Sequence, residues 1–230
     1  MHNNYNKKIL VACEYTGAFT NELLSYGFDV VSCDLLDSEG SKSHYKGDVD
    51  DLLYSEDWFA VFAFPPCDFL SKAGLHFCDI KRHGLKAWDR IKKRNDAVDF
   101  FLKFWFLDVP FIFIENPIGH ISANILKPNQ IISPHYFGDI YRKDTCVWLK
   151  GFKNIEYSKV QNLFSDSTLL SPLVEVFPGT NRNYTWVDKK TKKQRSVMSK
   201  IMAKEIIRQL APQLALKSSF PLMDLPKLSD

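Results

Sequence analysis

Two short segments carry residue types able to do covalent chemistry. The first is Phe64-Pro65-Pro66-Cys67, at the end of the very apolar run Trp58 to Phe64 (WFAVFAF). Two consecutive prolines hold the backbone in one extended path. A thiol placed directly after them is presented rigidly, and a partly exposed thiol in an electropositive surrounding is a nucleophile. The second segment is Ile114-Glu115-Asn116-Pro117, after Phe111-Ile112-Phe113. A carboxyl group at the end of so apolar a run is expected to be partly desolvated. That favours its protonated form and suits it to giving a proton to a ring nitrogen.

Polar residues also fall at the ends of the other apolar runs, where ligands bind in open α/β sheets. The first run ends in Cys13-Glu14-Tyr15-Thr16-Gly17 and leads into a helix pattern, so a ligand could approach the backbone at Gly17 and meet the helix N-terminus. The second ends in Asp34, whose carboxylate could accept from two ribose hydroxyls. The next turn carries Asp48 in Gly47-Asp48-Val49 and could accept from an adenine amino group. Each aspartate alone is commonly a turn former. Three such stations in succession suit an adenosine-containing cofactor.

The elements that must position these groups alternate strand and helix patterns. Strands are predicted at Lys8 to Cys13, Asp29 to Asp34, Trp58 to Phe64, Pro110 to Ile114 and Thr145 to Leu149. Cys13 and Cys33 lie within these patterns and are expected to be buried. Helices are predicted at Phe19 to Tyr26, ending at Gly27, and at Leu85 to Leu107, where Trp88, Ile91, Val98, Phe101, Leu102 and Trp105 recur at helical spacing. Gly47 to Leu53 reads as a turn and short helix, and Ser196 to Leu210 as a last helix stopped before Pro212. The expected architecture is a single Rossmann-like α/β domain over 1–215, with a mostly parallel sheet, helices on both faces, and a loose tail over 216–230.

Composition is consistent with that. The 230 residues are 45% hydrophobic and 25% charged, with 18 Phe. No window reaches the roughly 18 to 20 apolar residues of a membrane helix. Five widely spaced cysteines do not form a secreted disulfide framework, and the polar start MHNNYNKK is not a signal peptide, so a reducing cytoplasm is expected. The net charge of +3 permits a nucleic-acid partner without requiring one. Cys67, His76, Cys78 and His83 are close in sequence, but their spacing matches no zinc knuckle.

Taken in order, the motifs resemble the cytosine-5 DNA methyltransferases, and within them the small methylase-like proteins of bacteriophages. FPPC at 64 to 67 and ENP at 115 to 117 carry the resemblance; VACEYTG at 11 to 17, CDLL at 33 to 36, GDV at 47 to 49 and TCVWLKG at 145 to 151 support it. It implies a methyltransferase domain using S-adenosylmethionine, with DNA, duplex or single-stranded, as substrate. Cys67 would add to cytosine C6, Glu115 would protonate the ring nitrogen, and Arg142 would support the ring. Cys13, Glu14, Tyr15, Thr16, Gly17, Asp34, Leu35, Asp48, Val49 and Pro65 would hold the cofactor, closed over by Ser196 to Ile201. Pro66, Ser71, Asn116, Pro117 and Lys143 would line the substrate site. Such a role in a phage would be evasion of host restriction.

The chain departs from the family pattern in four places. Asp68 follows the cysteine where the family has Gln, Pro117 stands where it has Val, and Tyr-Arg-Lys-Asp-Thr replaces a Gln and two Arg. Only 152–195 remain where the family has a long target-recognition region, which leaves little surface for reading bases in a groove. Within it, Tyr184 and Trp186 could stack on bases, and Lys189, Lys190 and Arg195 could contact phosphate. A charge run of this kind is also an ordinary solvated loop. Three alternatives stay open: a thymidylate-synthase-like enzyme, an amino-methyltransferase, and a non-catalytic binding module.

Overall fold

The structure, a computed structural model, describes residues 8–139, 142–156, 174–176, 183–185, 191 and 197–218. Seven strands form the main sheet: β1 Lys8–Ala12, β2 Asp29–Asp34, β3 His44–Lys46, β4 Ala60–Ala63, β5 Phe111–Pro117, β6 Gln130–Ile132 and β7 Thr145–Lys150. Their spatial order is β3-β2-β1-β4-β5-β7-β6. The first five pair in parallel, and β7 runs antiparallel between β5 and β6. The order reverses between β1 and β4, as in doubly wound Rossmann-like sheets, and the crevice at that switch point is where such folds bind ligands. Val174–Val176 (β8) and Asn183–Thr185 (β9) form a separate two-stranded ribbon.

Both faces are buried, which explains why the strands read as continuous apolar runs. Successive side chains along a strand alternate faces. Ile9, Val11, Phe62, Phe113 and Val147 share a core with Phe19 and Leu23 of α1 (Ala18–Ser25) and with Ile206, Ile207 and Leu210 of the last helix. Leu10, Val61, Ile112, Ile114 and Trp148 pack with Val98, Phe101 and Phe104 of α4 (Leu85–Trp105) on the other. Each fully buried Phe here contributes about 1.5–3 kcal/mol, and Phe19, Phe62, Phe101, Phe104, Phe111 and Phe113 are all fully buried.

Several expectations need correction. β5 does not stop at Ile114. It continues through Glu115 and Asn116 to Pro117 because antiparallel β7 pairs with it, Glu115 opposite Val147 and Pro117 opposite Thr145. The last helix, α5, spans Lys200–Ser218 and passes through Pro212 into the expected tail. Its buried stripe, Leu210, Ala211, Leu214 and Ala215, continues on both sides of the proline, so packing outweighs the lost backbone donor. Trp88 is 57% exposed, although α4 packs against the 72–83 segment. That segment is a 3-10 helix, Lys72–Cys78, followed by α3, Ile80–His83. Among the described residues, no helix is long and apolar enough to cross a membrane.

Candidate active site

Cys67 sits just past the carboxyl end of β4. Phe64 N–H donates to the Ala12 carbonyl at 3.0 Å, so the chain leaves the sheet still tied to β1. Pro65 is buried and Pro66 exposed. The Cys67 carbonyl accepts from the N–H groups of Leu70 and Ser71, both at 3.0 Å, closing a turn beneath the half-buried thiol.

Burial pushes the Cys67 thiol up from its ordinary value, the Glu115 and Asp68 carboxylates push it further, and the Lys143 ammonium opposes them. The electropositive surrounding expected from the sequence thus reduces to Lys143, and burial outweighs it. A raised pKa leaves the resting group mostly as thiol at neutral pH. Alkylation of Cys67 should therefore accelerate with rising pH, with its midpoint above the ordinary thiol value of 9.0. Iodoacetamide labelling read at the Cys67 peptide by mass spectrometry checks this; a midpoint below the ordinary value would contradict it.

Glu115 is the strongest charge acting on Cys67. It is half-buried between fully buried Ile114 and nearly buried Asn116. The hydroxyl of Thr145, the first residue of β7, donates to the Glu115 carboxyl oxygen Oε1 and also lies 3.1 Å from the Asn116 carbonyl. The Asn116 amide donates to the Pro65 carbonyl at 2.7 Å. Adjacent residues of β5 therefore do two jobs: Glu115 presents the carboxyl, and Asn116 fastens its strand to the proline pair that carries Cys67. Pro117 is half-buried opposite Thr145.

A second clamp joins the two segments where the sequence reading named only Ser71. Ser71 forms an antiparallel bridge with Gly119. His120 N–H donates to the Leu70 carbonyl at 2.8 Å, and Lys72 N–H to the Ile118 carbonyl at 3.1 Å. A Cβ on Gly119 would lie 2.0 Å from the Leu70 carbonyl oxygen, so only glycine fits. A lone glycine two residues after a proline gives no distinguishing signal in sequence.

Arg142 is exposed and paired with a carboxylate of its own segment. Its guanidinium forms a two-pronged pair with Asp144, with Nη2 to Oδ2 at 2.6 Å, and acts electrostatically on Asp144, His135 and Tyr136. Lys143, one residue on, is the cation that reaches Cys67, and its N–H is anchored to the Ser133 hydroxyl at 3.0 Å. Trp186, Lys189, Lys190 and Arg195, together with Ser196, lie outside the described residues, as does the Tyr184 side chain.

At the proposed cofactor end, Cys13 has a φ of 60°, a left-handed conformation unusual for a residue with a side chain. Its thiol is pushed up by burial and by the charges of Asp34 and Asp48, so the ends of β1, β2 and β3 do converge. One Asp34 oxygen accepts Leu36 N–H at 2.9 Å; the other has no hydrogen-bond partner among the described residues. Leu35 beside it is 72% exposed. Asp48 is exposed and accepts Asp50 N–H at 3.0 Å, at the start of α2 (Asp50–Leu53), while the Val49 side chain belongs to the core.

Two of the groups expected to face the cofactor are engaged within the protein. The Glu14 carboxylate is buried and consumed by α1, accepting from Phe19 N–H at 2.6 Å, Thr20 N–H at 3.2 Å and the Thr20 hydroxyl at 2.6 Å. It satisfies the open helix end instead of presenting itself to a ligand. Burial raises its carboxyl above the ordinary value against those hydrogen bonds. The backbone at Gly17 is also not open to a ligand. The loop after β2 folds back on it: a Cβ on Gly17 would meet Gly40 and Ser41 backbone at 3.1 Å, Asn21 donates to the Gly40 carbonyl at 2.9 Å, and Glu39 N–H donates to the Tyr15 carbonyl at 2.8 Å. Thr16 lies in this covered turn, with its carbonyl 3.0 Å from where a Gly40 Cβ would be. Ser199 caps α5, donating to Asp139 at 2.6 Å and accepting Met202 N–H at 3.2 Å, and Ile201 is half-exposed.

Among the described residues no three metal-ligating side chains gather. A groove of about 660 Å³ lined by Leu53, Tyr54, Trp58, Phe106 and Leu107 lies at the opposite end of the sheet, before the starts of β4 and β5.

No protein-family profile matches the chain, and no curated protein sequence matches it. Solved structures do. One is the Dnmt2 methyltransferase of S. pombe, 15% identical, covering 64% of this chain and 51% of that one, with a TM-score of 0.41. Another is the Entamoeba histolytica methyltransferase EhMeth, 12% identical, covering 73% of this chain and 58% of that one, with a TM-score of 0.44. The chain thus spans between half and three-fifths of either structure's length.

Proposed function

We propose that this protein is an S-adenosylmethionine-dependent cytosine-5 methyltransferase acting on nucleic acid, with DNA as the substrate. One observation carries the reading: a half-buried thiol after a proline pair, with Glu115 as its strongest neighbouring charge and the Asn116–Pro65 hydrogen bond locking the two segments together.

In this reading the Cys67 thiol passes its proton to the neighbouring Glu115 carboxylate, and Sγ adds to cytosine C6. Glu115 gives a proton to ring N3, so that addition leaves no net negative charge on the ring, and C5 becomes nucleophilic. Lys143 offsets the charge of the attacking thiolate. S-Adenosylmethionine, when bound, supplies the electrophilic methyl group. The C5 proton then leaves to a base, the C6–S bond breaks, and Cys67 is released. Of the cofactor residues named from the sequence, those that fit an adenosine best are Asp34, with an oxygen able to accept from a ribose, and Leu35, an exposed apolar side chain that a base could cover. A duplex base must leave the stack to reach Cys67.

The deciding experiment uses oligonucleotides carrying 5-fluorocytosine, which cannot lose the C5 substituent. Incubation with S-adenosylmethionine should give a denaturation-resistant protein–DNA adduct at the Cys67 peptide. An adduct with RNA alone would replace DNA as substrate. Methylation of an exocyclic amine, or no adduct with any polynucleotide, would end the cytosine-5 reading.

A further inference from the structure

The turn that carries Cys67 is held from α4 as well as from β5. Arg90 reaches back from the second turn of that helix, and its Nη2 donates to the Asp68 carbonyl at 2.6 Å. Its guanidinium carbon lies 4.3 Å from the centre of the Phe69 ring and 5.7 Å from that of Phe77. A Cβ on Gly74 would fall 2.5 Å from Nη2, so the 3-10 helix passes close over the group at a residue with no side chain. One planar cation is thus enclosed by Asp68, Phe69, Gly74 and Phe77.

The consequence for Cys67 follows from the peptide planes. The Cys67 carbonyl is fixed by Leu70 and Ser71 N–H, and the Asp68 carbonyl by Arg90. The peptide groups on both sides of Asp68 are therefore immobilised, which fixes the Asp68 torsions and anchors the chain on the carboxyl side of the Cys67 Cα. A guanidinium does both tasks at once, donating in its plane and stacking on an aromatic face.

We propose that Arg90 is a positioning residue for Cys67: it sets the direction of the thiol through the Asp68 carbonyl and the Phe69 ring without touching substrate. The catalytic part of this rests on the cytosine-5 reading above. Small displacements of a reacting group are expensive, about 10²-fold for 1 Å.

The test compares full-length wild type, Arg90→Ala and Arg90→Lys. Two rates are read: iodoacetamide labelling of the Cys67 peptide, and 5-fluorocytosine adduct formation at saturating oligonucleotide. Arg90→Ala should change the labelling rate by at least about fivefold and slow adduct formation by roughly 30- to 100-fold. S-Adenosylmethionine affinity and apparent oligonucleotide affinity should stay within about twofold, since the loss falls on the chemical step. Arg90→Lys keeps a donor and loses the planar stack, so its adduct rate should lie between the other two. Wild-type labelling and adduct rates in a folded Arg90→Ala protein overturn the proposal. Equal loss of rate and of both affinities also overturns it, because that marks general disruption. If Arg90→Ala does not fold, Arg90→Lys decides: an adduct rate equal to wild type refutes the proposal, and a rate at least about threefold lower with cofactor affinity unchanged supports it. If the wild type forms no adduct, the cytosine-5 reading falls and the labelling rates alone decide whether Arg90 sets the thiol.

Discussion

Replacing Cys67 with serine is expected to lower methyl transfer by at least about 10⁴-fold, as removal of a covalent nucleophile does in other enzymes. The change is small in volume, and among the described residues the hydrogen bond to the Cys67 side chain comes from its own backbone, which a hydroxyl can also accept. Folded stability should therefore shift by no more than about 0.5 kcal/mol. S-Adenosylmethionine affinity should be unchanged, because Asp34 and Leu35, the groups proposed to hold its adenosine, lie at the end of β2. The loss is large because a hydroxyl ionises far less readily than a thiol, and the site already resists ionisation: burial, Glu115 and Asp68 push the Cys67 group up against Lys143 and a hydrogen bond from its own backbone. Tritium transfer from labelled cofactor to DNA, read beside a thermal melt and a cofactor titration, separates these effects. Retention of more than about one-tenth of wild-type transfer would exclude a covalent role for Cys67 and favour direct transfer to an amine.

What could be read from sequence divides along a physical line. Strands buried on both faces announce themselves, so β1, β2, β4, β5 and β7 were visible as apolar runs, and with them the strand ends where Asp34 and Cys67 sit. Cys67 and Glu115 were legible because their types are costly to place at the mouth of an apolar sheet without a purpose. Short edge strands were not: β3 is His-Tyr-Lys and has no apolar period to detect. The reach of β5 through Pro117 was hidden because it depends on antiparallel β7, a partner distant in sequence. The same pairing brings Thr145 to Glu115, a contact no local pattern encodes. That Lys143 acts on the thiol while Arg142 is taken up by Asp144 is likewise a matter of pairing that residue types alone do not announce. Glu14 and Gly17 looked like ligand groups because a helix N-terminus attracts both ligands and caps; here the protein's own carboxylate and the Gly40–Ser41 backbone occupy those roles.

The same dependence on distant partners makes Gly119 a sensitive position. Gly119→Ala would place a methyl group 2.0 Å from the Leu70 carbonyl oxygen and 3.0 Å from the Ser71 Cα. Both obstacles are backbone, so no side chain can swing aside, and the loop after Cys67 must separate from the loop after Glu115. Separation breaks the His120–Leu70 and Lys72–Ile118 hydrogen bonds and the Ser71–Gly119 bridge. Losing two backbone hydrogen bonds and the local packing should cost about 2–3 kcal/mol of stability. The catalytic cost should be larger in proportion, roughly 10²-fold or more, because the clamp sets the distance between thiol and carboxyl. The Asn116–Pro65 hydrogen bond lies on the other side of Cys67 and should survive, so the protein should still fold and bind cofactor. Denaturant unfolding and the 5-fluorocytosine adduct rate together test this. A variant destabilised as expected but forming adduct at the wild-type rate would show that the two loops are joined for stability alone, with the reacting geometry fixed by Asn116 and Thr145.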